Sequence, residues 1–372
     1  PDWFAPTPEQ ARIEEYSWFR QNWFGWHAEE HRAAREDVIL TDMSSMSKFS
    51  VEGRDACALL NRLSCNEVDV EPGRVVYTAW VNARGGFEAD LTVTRLTRDR
   101  YIVVVGENSH GHTEMWMRRH IGPDDFVIIT DITPAVTQIN VHGPKARKLM
   151  KKVSSADLGN DAFPFMTAQE IDVGYFNLLA LRVTYVGELG WELHVPSLHA
   201  VQVYDLLMEA GQEFGIRNAG MQTLGSLRLE KAYRDFGVDV DNTDNPIEAG
   251  LGFAVKLDKT GGFIGRDALA AIKEQGVPRS RMLQFLLNDP DPLLYGNEMI
   301  FLDGQEVGHL EIGAYGHTLG GAVGIGFAET ETPLTAEIVN SGVWEIDVAG
   351  ERVKAVASLK PLLDPKMERV KC

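Results

Sequence analysis

An aromatic side chain and a carboxylate stand near the two ends of the glycine-punctuated segment Val183–Glu192. Tyr185 offers a flat face for stacking, and Glu192 offers two oxygens that can accept hydrogen bonds from a pair of N–H donors. A heteroaromatic ring that carries adjacent N–H donors, such as a pterin, requires this combination. A hairpin between two strands would contain the same residues, so the segment alone leaves a ring-binding site and a structural turn as alternatives.

A second carboxylate follows the glycine pair at 85–86, where the chain passes from a turn into a strand of alternating residues. Asp90 lies at the start of that strand. A carboxylate in such a position can take a proton from a reacting nitrogen. It can equally cap the backbone of the preceding turn, and the residues alone do not separate these two roles.

The elements that must position these groups alternate between strands and helices from Asp42 to Phe236. Apolar periodicity predicts short helices such as Asp55–Leu63 and Lys145–Lys152 between the strands, with glycines marking the turns. After Pro278 the strands continue almost without helices. This pattern predicts α+β domains with antiparallel sheets, followed by an all-β barrel or sandwich.

The first predicted helix covers Pro8–Glu36, and two of its histidines invite a metal interpretation. His27 and His31 are four residues apart and therefore share one helix face. The zinc-protease helix requires glutamate directly after the first histidine, where this chain has Ala28. We therefore predict a solvated helix face here and no metal site.

Composition limits the possible functions of the chain. Its 372 residues exceed one ordinary core, so two or three domains are expected. A net charge of -18, from 36 basic and 54 acidic residues, argues against nucleic acid as a partner. No apolar run predicts a membrane span and no signal peptide is recognisable, which favours the cytoplasm or an organelle matrix. The chain begins at proline, which suggests a processed product or a piece of a longer protein.

Several separated segments, taken together, resemble the folate-binding aminomethyltransferase family. This family includes the T-protein of the glycine cleavage system and the C-terminal half of dimethylglycine and sarcosine dehydrogenases. The segments that carry the resemblance are Asn82–Arg95, Val183–Glu192, Ser226–Lys231 and Asn245–Gly252. Those that are most similar to the dehydrogenase half are Pro1–Pro6, Trp18–Trp23, Gly313–Gly320 and Ala357–Pro365.

The resemblance implies an α+β fold of three domains arranged like a cloverleaf. Residues 1–45 and 132–275 would form a split folate-binding domain, and residues 46–131 an α+β domain that carries the catalytic aspartate. Residues 276–372 would form a C-terminal β-barrel. The chain has no dinucleotide-binding fingerprint, so we expect it to carry no flavin of its own.

Resemblance also assigns roles at the site, with tetrahydrofolate as the cofactor. Asp90 matches the family's catalytic aspartate, which lies near the reacting nitrogens of the folate. Tyr185 and Glu192 match pterin contacts, and Tyr77 and Met46 match residues that line the folate pocket.

Arg228 is expected to bind a carboxylate of the folate tail or of the substrate. Its alternative is a helix-surface ion pair with an acidic neighbour such as Glu230 or Asp235.

Three functions remain open. The chain could transfer a methylene group to tetrahydrofolate from a small methylated donor, such as an N-methyl glycine derivative oxidised by a flavin-dependent dehydrogenase domain or subunit. It could act alone as a demethylase that moves a methyl group from an amine, sulfonium or methoxy compound. It could also bind folate without catalysis, although the Lys-Gly-Cys-Tyr-x-Gly-Gln-Glu segment of such assembly factors does not occur here.

Overall fold

Three β-sheets and their covering helices make up the described part of the protein. The computed structural model describes residues 1–5, 7, 9–10, 14–17 and 19–372. The strands within these residues are β1 (Val38–Asp42), β2 (Ser47–Glu52), β3 (Val75–Val81), β4 (Phe87–Thr97), β5 (Arg100–Val105), β6 (Ile128–Asp131), β7 (Val136–His142), β8 (Ala168–Val173), β9 (Phe176–Leu181), β10 (Gly190–Pro196), β11 (Ile216–Asn218), β12 (Ser280–Leu287), β13 (Met299–Leu302), β14 (Gln305–Gly316), β15 (Gly321–Glu329), β16 (Trp344–Val348) and β17 (Glu351–Ser358). The α-helices are α1 (Phe24–Glu36), α2 (Ala56–Leu63), α3 (His110–Arg119), α4 (Ala146–Val153), α5 (Ala200–Gly211), α6 (Met221–Glu230), α7 (Arg266–Glu274), α8 (Ala336–Ser341) and α9 (Glu368–Lys371).

The first sheet has six strands in the order β11-β1-β7-β10-β9-β8. Strand β11 runs parallel to β1, and the other neighbours are antiparallel. Strand β10 shows how the residues choose their faces, because side chains alternate along a strand. Its Trp191, Leu193 and Val195 enter an apolar core that α4 and α5 share. Glu192 and His194 therefore lie on the opposite face of the sheet.

The second sheet has five antiparallel strands in the order β3-β4-β5-β2-β6. Its register aligns Tyr77, Thr92, Val104 and Lys48 as direct cross-strand neighbours, one from each of four adjacent strands. Direct neighbours share a face, so these four side chains form a row about 14 Å long across the sheet. The opposite face packs against α2 and α3.

A strand, a glycine and a short helix occur in the same order in both sheets. Gly53 follows β2 and Gly143 follows β7, with φ angles of 132° and 137° that side chains rarely adopt. The helices after them, α2 and α4, bury apolar residues with the spacing i, i+3, i+4 and i+7. This repeated unit explains the recurring mixed pattern of the sequence.

The third sheet closes into a barrel in the order β12-β15-β14-β13-β16-β17. The predicted α+β architecture with a C-terminal β-barrel is thus confirmed. The exact domain boundaries stay a prediction. No helix in the described ranges has the length and apolar character that a membrane crossing requires.

The predicted first helix is wrong in its extent and in the environment of its histidines. Within Pro8–Glu36 only Phe24–Glu36 is helical, while residues 8, 11–13 and 18 lie outside the described part. His27 and His31 are 3% and 1% exposed, not solvated. They contact His317 and Ser226, because α1 packs against α6 and the barrel.

Candidate functional site

Asp90 lies within β4, and two donors from different segments hold its carboxylate. The Tyr77 hydroxyl donates to Oδ2 at 3.1 Å, and the Phe236 backbone N–H donates to Oδ1 at 3.3 Å. Tyr77 reaches it diagonally from β3, since Asp90 pairs directly with Ala79. The carboxylate accepts from these two groups instead of capping the preceding turn.

Burial first, and then the nearby carboxylate of Asp235, raise the pKa of Asp90 to about 7, against the lowering effect of the two hydrogen bonds. Burial also raises the pKa of Asp235, to about 6, in part offset by Arg228. No described residue donates a hydrogen bond to the Asp235 side chain. Two like charges in one buried place therefore keep a proton available near neutral pH.

Aromatic rings surround these carboxylates. The ring of Tyr77 stacks on Phe253 with centroids 6.2 Å apart, and Phe253 is 69% exposed. Tyr185 stacks on Tyr233 at 6.0 Å and donates its hydroxyl to the Arg234 carbonyl at 2.8 Å. That bond fixes the Tyr185 ring and leaves part of it exposed.

Arg228 is 3% exposed and forms a bidentate ion pair, but its partner is neither Glu230 nor Asp235. Its two terminal nitrogens donate to the oxygens of Asp239 at 2.5 and 2.8 Å. The predicted alternative of a helix-surface pair is therefore wrong. Since Asp239 engages both nitrogens, the role of Arg228 towards a folate or substrate carboxylate stays a prediction.

Glu192 lies on β10 opposite Asn140 of β7, on the face that turns away from the apolar core. Asn140 Nδ2 donates to Glu192 Oε1 at 3.5 Å, a long contact that leaves most of the carboxylate open. Burial raises the pKa of Glu192 to about 7, and attraction to Lys48 opposes that rise.

Met46 connects the two groups of residues. Its half-buried side chain packs with Tyr185 against the same apolar cluster, and its carbonyl accepts a hydrogen bond from Lys48 Nζ at 2.7 Å. We call the region that contains Tyr77, Asp90, Tyr185 and Glu192 the central recess. All four side chains keep some solvent exposure although burial dominates their pKa shifts, as expected for groups that line an interior recess.

Sequence reasoning missed Lys48 and Asp235 as members of this site. A signal for Lys48 was present, because strand Ser47–Glu52 places it on the face opposite Phe49 and Val51, away from the core. Asp235 carried no local signal. Among the described residues, no cluster of three or more histidines, cysteines or carboxylates could hold a metal ion.

Two family models match the chain. The GCVT N-terminal domain matches residues 1–259, and the Glycine cleavage T-protein C-terminal barrel domain matches residues 281–364. The chain belongs to the glycine cleavage T-protein family. The resemblance read from the separated sequence segments is thereby confirmed.

Relatives within the family carry different names. The chain is 39% identical to 4-methylaminobutanoate oxidase (formaldehyde-forming) of Paenarthrobacter nicotinovorans, over 100% of the chain and 44% of the relative. It is 33% identical to mitochondrial dimethylglycine dehydrogenase of Homo sapiens, over 98% of the chain and 41% of the relative. It is 30% identical to an aminomethyltransferase of Geobacillus sp. (strain WCH70), over 95% and 97%. The chain thus spans less than half the length of the first two relatives and nearly all of the third.

A solved structure shares the fold. Glycine cleavage system aminomethyltransferase T from Bartonella henselae superposes with a TM-score of 0.81 at 20% identity, covering 96% of each chain. At this identity the likeness concerns the fold and not the chemistry of the recess.

Proposed function

We propose that the protein binds tetrahydrofolate in the central recess and transfers a one-carbon unit to it from a small methylated amine. The observation that carries the proposal is that two buried carboxylates, Glu192 and Asp90, occur together with the ring of Tyr185, which lies close enough to Asp90 for the two to interact electrostatically. The family's aminomethyltransferase members support a transferase, and the relatives named for amine oxidation support an amine donor.

The residues present fit this cofactor. The open Glu192 carboxylate suits the adjacent N–H donors of an amino-pyrimidine ring, and the ring of Tyr185 suits stacking. Val104 and Thr92, which lie between Lys48 and Tyr77 in the cross-strand row, have small side chains that suit the approach of a planar ligand. When bound, tetrahydrofolate supplies the nucleophilic nitrogens that accept the one-carbon unit.

Asp90 acts in this proposal as the group that takes the proton released by the reacting nitrogen. A carboxylate with a pKa of about 7 can accept and return a proton near neutral pH. Tyr77 and the Phe236 N–H fix its orientation, so that little reorganisation is needed during the transfer.

One observation favours a cationic donor over a neutral methoxy compound. The Asp235 carboxylate lies near Asp90 without a hydrogen-bond donor of its own, and the rings of Tyr77 and Phe253 stand in the same region. A methylated ammonium or iminium group is attracted by both carboxylates and aromatic faces. The alternatives are a stand-alone demethylase that uses a methylated amine, sulfonium or methoxy donor, and a folate-binding protein without catalysis.

The test is mass-spectrometric analysis of the folate recovered after incubation with tetrahydrofolate and a panel of methylated amines, sulfoniums and methoxy compounds. Each donor is tested with and without a flavin-dependent dehydrogenase. Methylenetetrahydrofolate that forms only with the dehydrogenase supports the proposal, and the Asp90→Asn variant should form it about 10²-fold more slowly while still binding tetrahydrofolate.

Methyltetrahydrofolate from this chain alone would instead establish the stand-alone demethylase and name its donor. Binding of tetrahydrofolate without any product under either condition would leave the non-catalytic alternative. Undiminished turnover in Asp90→Asn would remove Asp90 from the reaction.

A further inference from the structure

A group of buried polar side chains from the first two sheets interacts with Glu192 through hydrogen bonds and charge. Lys48 comes from β2 of the five-stranded sheet, while Gln138, Asn140, Glu192 and His194 come from β7 and β10 of the six-stranded sheet. Apart from Glu192, every member is at most 4% exposed. A charged lysine at such depth requires a compensating partner.

Two backbone carbonyls hold the Lys48 ammonium. Its Nζ donates to the carbonyl of Ser44 at 3.2 Å and to that of Met46 at 2.7 Å. These carbonyls belong to the segment between β1 and β2, which places Met46 beside the central recess. An ammonium group has three N–H donors, so one N–H remains after the two carbonyls have each accepted one.

The charge of Lys48 acts on Glu192 without capping it. No ion pair within 4.0 Å joins the two groups, yet each is the leading charged influence on the pKa of the other. The side-chain amide of Asn140 is the donor to the carboxylate, at 3.5 Å, and Gln138 Nε2 donates in turn to Asn140 Oδ1 at 3.2 Å. Glu192 is thus compensated in charge while its oxygens stay available to a ligand.

None of the other ionisable groups that face Lys48 attracts the Glu192 carboxylate as a cation. Asp42 and Asp131 also attract the ammonium, but both are exposed, and His110 lies 3.7 Å from Asp131. Burial and then the charge of Lys48 lower the pKa of His194 to about 3, so its imidazole is neutral. Lys48 is therefore the only cation among the described residues that attracts Glu192 at this place.

We propose that Lys48 is a positioning residue that favours the ionised form of Glu192 and leaves it open to the N–H edge of a folate ring, while it holds the Met46 segment at the recess. This inference rests on the proposed function, because it concerns the same ligand. A protonated Glu192 would present an O–H donor to a donor edge, and the bidentate contact would be lost.

The consequence is a specific dependence of affinity on pH. Burial raises the pKa of Glu192, and attraction to Lys48 limits that rise to about 7. Without Lys48 only the Asn140 hydrogen bond opposes the effect of burial, so the pKa of Glu192 rises further and the carboxylate is mostly protonated at neutral pH. Folate affinity should then fall near neutral pH and recover as the pH is raised.

The experiment is an anaerobic calorimetric titration with tetrahydrofolate from pH 6 to pH 9. We expect Lys48→Gln to bind about 3- to 10-fold more weakly near pH 7, the effect of a shift of about one pKa unit, and to approach the wild type near pH 9. Lys48→Arg retains the charge and should restore the wild-type profile.

Lys259→Gln is the matched control. Lys259 is a second lysine that caps backbone carbonyls, those of Asn61, Ser64 and Asn66, and burial lowers its pKa to about 8 as it does for Lys48. No carboxylate of the central recess faces it. Its replacement should change thermal stability and leave the pH profile of folate binding unaltered.

Two outcomes separate this inference from the proposed function. If Glu192→Gln binds tetrahydrofolate with wild-type affinity at every pH, Glu192 does not hold the folate ring, and that part of the proposed function fails together with the inference. If Glu192→Gln weakens binding but Lys48→Gln loses the same factor at all pH values, Lys48 has only a structural role and the inference alone is overturned. If Lys48→Gln does not fold, the wild type provides the test. The inference predicts that wild-type folate affinity changes near pH 7 and that Glu192→Gln abolishes this change. A wild-type profile without such a change would overturn the inference.

Discussion

At the scale of single residues, two buried carboxylates reach similar pKa values with opposite neighbours. Asp90 has the like-charged Asp235 beside it, whereas Glu192 faces the cation Lys48. A nearby like charge favours the protonated form of a carboxylate, and a nearby cation favours its ionised form. The neighbours thus divide the work in our proposal, with Asp90 as the acid–base group and Glu192 as the ring-binding group.

Replacing Asp235 should shift the pH profile of the reaction. In Asp235→Asn the like charge is gone, so the pKa of Asp90 falls and its carboxylate ionises at lower pH. We expect the acid limb of the kcat/KM profile to move down by about half to one pH unit. Rates of one-carbon transfer measured from pH 5.5 to pH 8.5 check this.

Comparison of the rates at low and high pH separates an effect on the pKa of Asp90 from a direct effect on donor binding. Above pH 8 Asp90 is ionised in both proteins, so a loss of kcat/KM that remains there measures the attraction of Asp235 for the cationic donor. An acid limb that does not move would contradict the influence of Asp235 on Asp90. Asp90→Asn serves as the reference in which the limb is absent.

At the scale of elements, the strand–glycine–helix unit turns where two backbone segments lie so close together that a side chain does not fit. A Cβ atom on Gly143 would lie 2.3 Å from the carbonyl oxygen of Asp37, and the φ angle of 137° is unfavourable for any side chain. This turn connects the end of β7, which carries Asn140, to the start of α4. Its glycine therefore positions the sheet that presents Glu192.

Gly143→Ala should destabilise the protein by about 1–3 kcal/mol, the usual cost of a strained backbone at one residue. The midpoint of thermal unfolding measures the effect. Gly111→Ala is the matched control, because Gly111 lies in α3 and a Cβ there meets nothing within 4 Å. That control should be neutral or slightly more stable, since alanine favours helix over glycine. Equal melting temperatures for the two variants would contradict the steric argument.

At the scale of the whole molecule, one buried carboxylate joins the first helix, α6 and the barrel. Glu230 accepts from Arg35 Nη2 at 2.8 Å, from His31 Nε2 at 3.1 Å and from the backbone N–H of Thr318 at 2.7 Å. Burial alone would raise its pKa, but its donors lower it to about 2. Burial also lowers the pKa of His31, so Arg35 is the lasting cation of this group.

Glu230→Gln should lower the free energy of unfolding by about 3–5 kcal/mol at pH 7, because it leaves Arg35 partly unpaired in the interior. The folded pKa lies below the unfolded value, so this stabilisation is complete above about pH 5 and is lost as the pH falls towards 2. Melting temperatures of variant and wild type should therefore converge on acidification.

Glu306→Gln provides the comparison for that charge change. Glu306 is exposed on β14 and forms no ion pair within the described residues. Its replacement should alter stability by less than about 0.5 kcal/mol. A Glu230→Gln variant as stable as Glu306→Gln would show that the buried network does not hold the three parts together.

Local patterns in the sequence determined the elements and the family of this protein. The alternation in Gly190–Pro196 and the periodicity of Ala146–Val153 follow from which faces must be apolar, and glycines with positive φ mark turns that no other residue favours. The sequence also indicated Asp90, Tyr77, Tyr185 and Met46 together, and the structure brings these four into one region. The extent of the first helix was less predictable, because its composition is helical while its histidines are buried by distant elements.

Only the tertiary structure determined which charged groups act on the site residues, and therefore their protonation states. The approach of Lys48 to Glu192, of Asp235 to Asp90 and of Asp239 to Arg228 depends on which sheet faces and loops meet. Apolar periodicity specifies which face of an element is buried, but it does not specify which polar groups oppose each other across an interface. Burial and charge act through space, so the protonation states on which our proposal depends became accessible only with the fold.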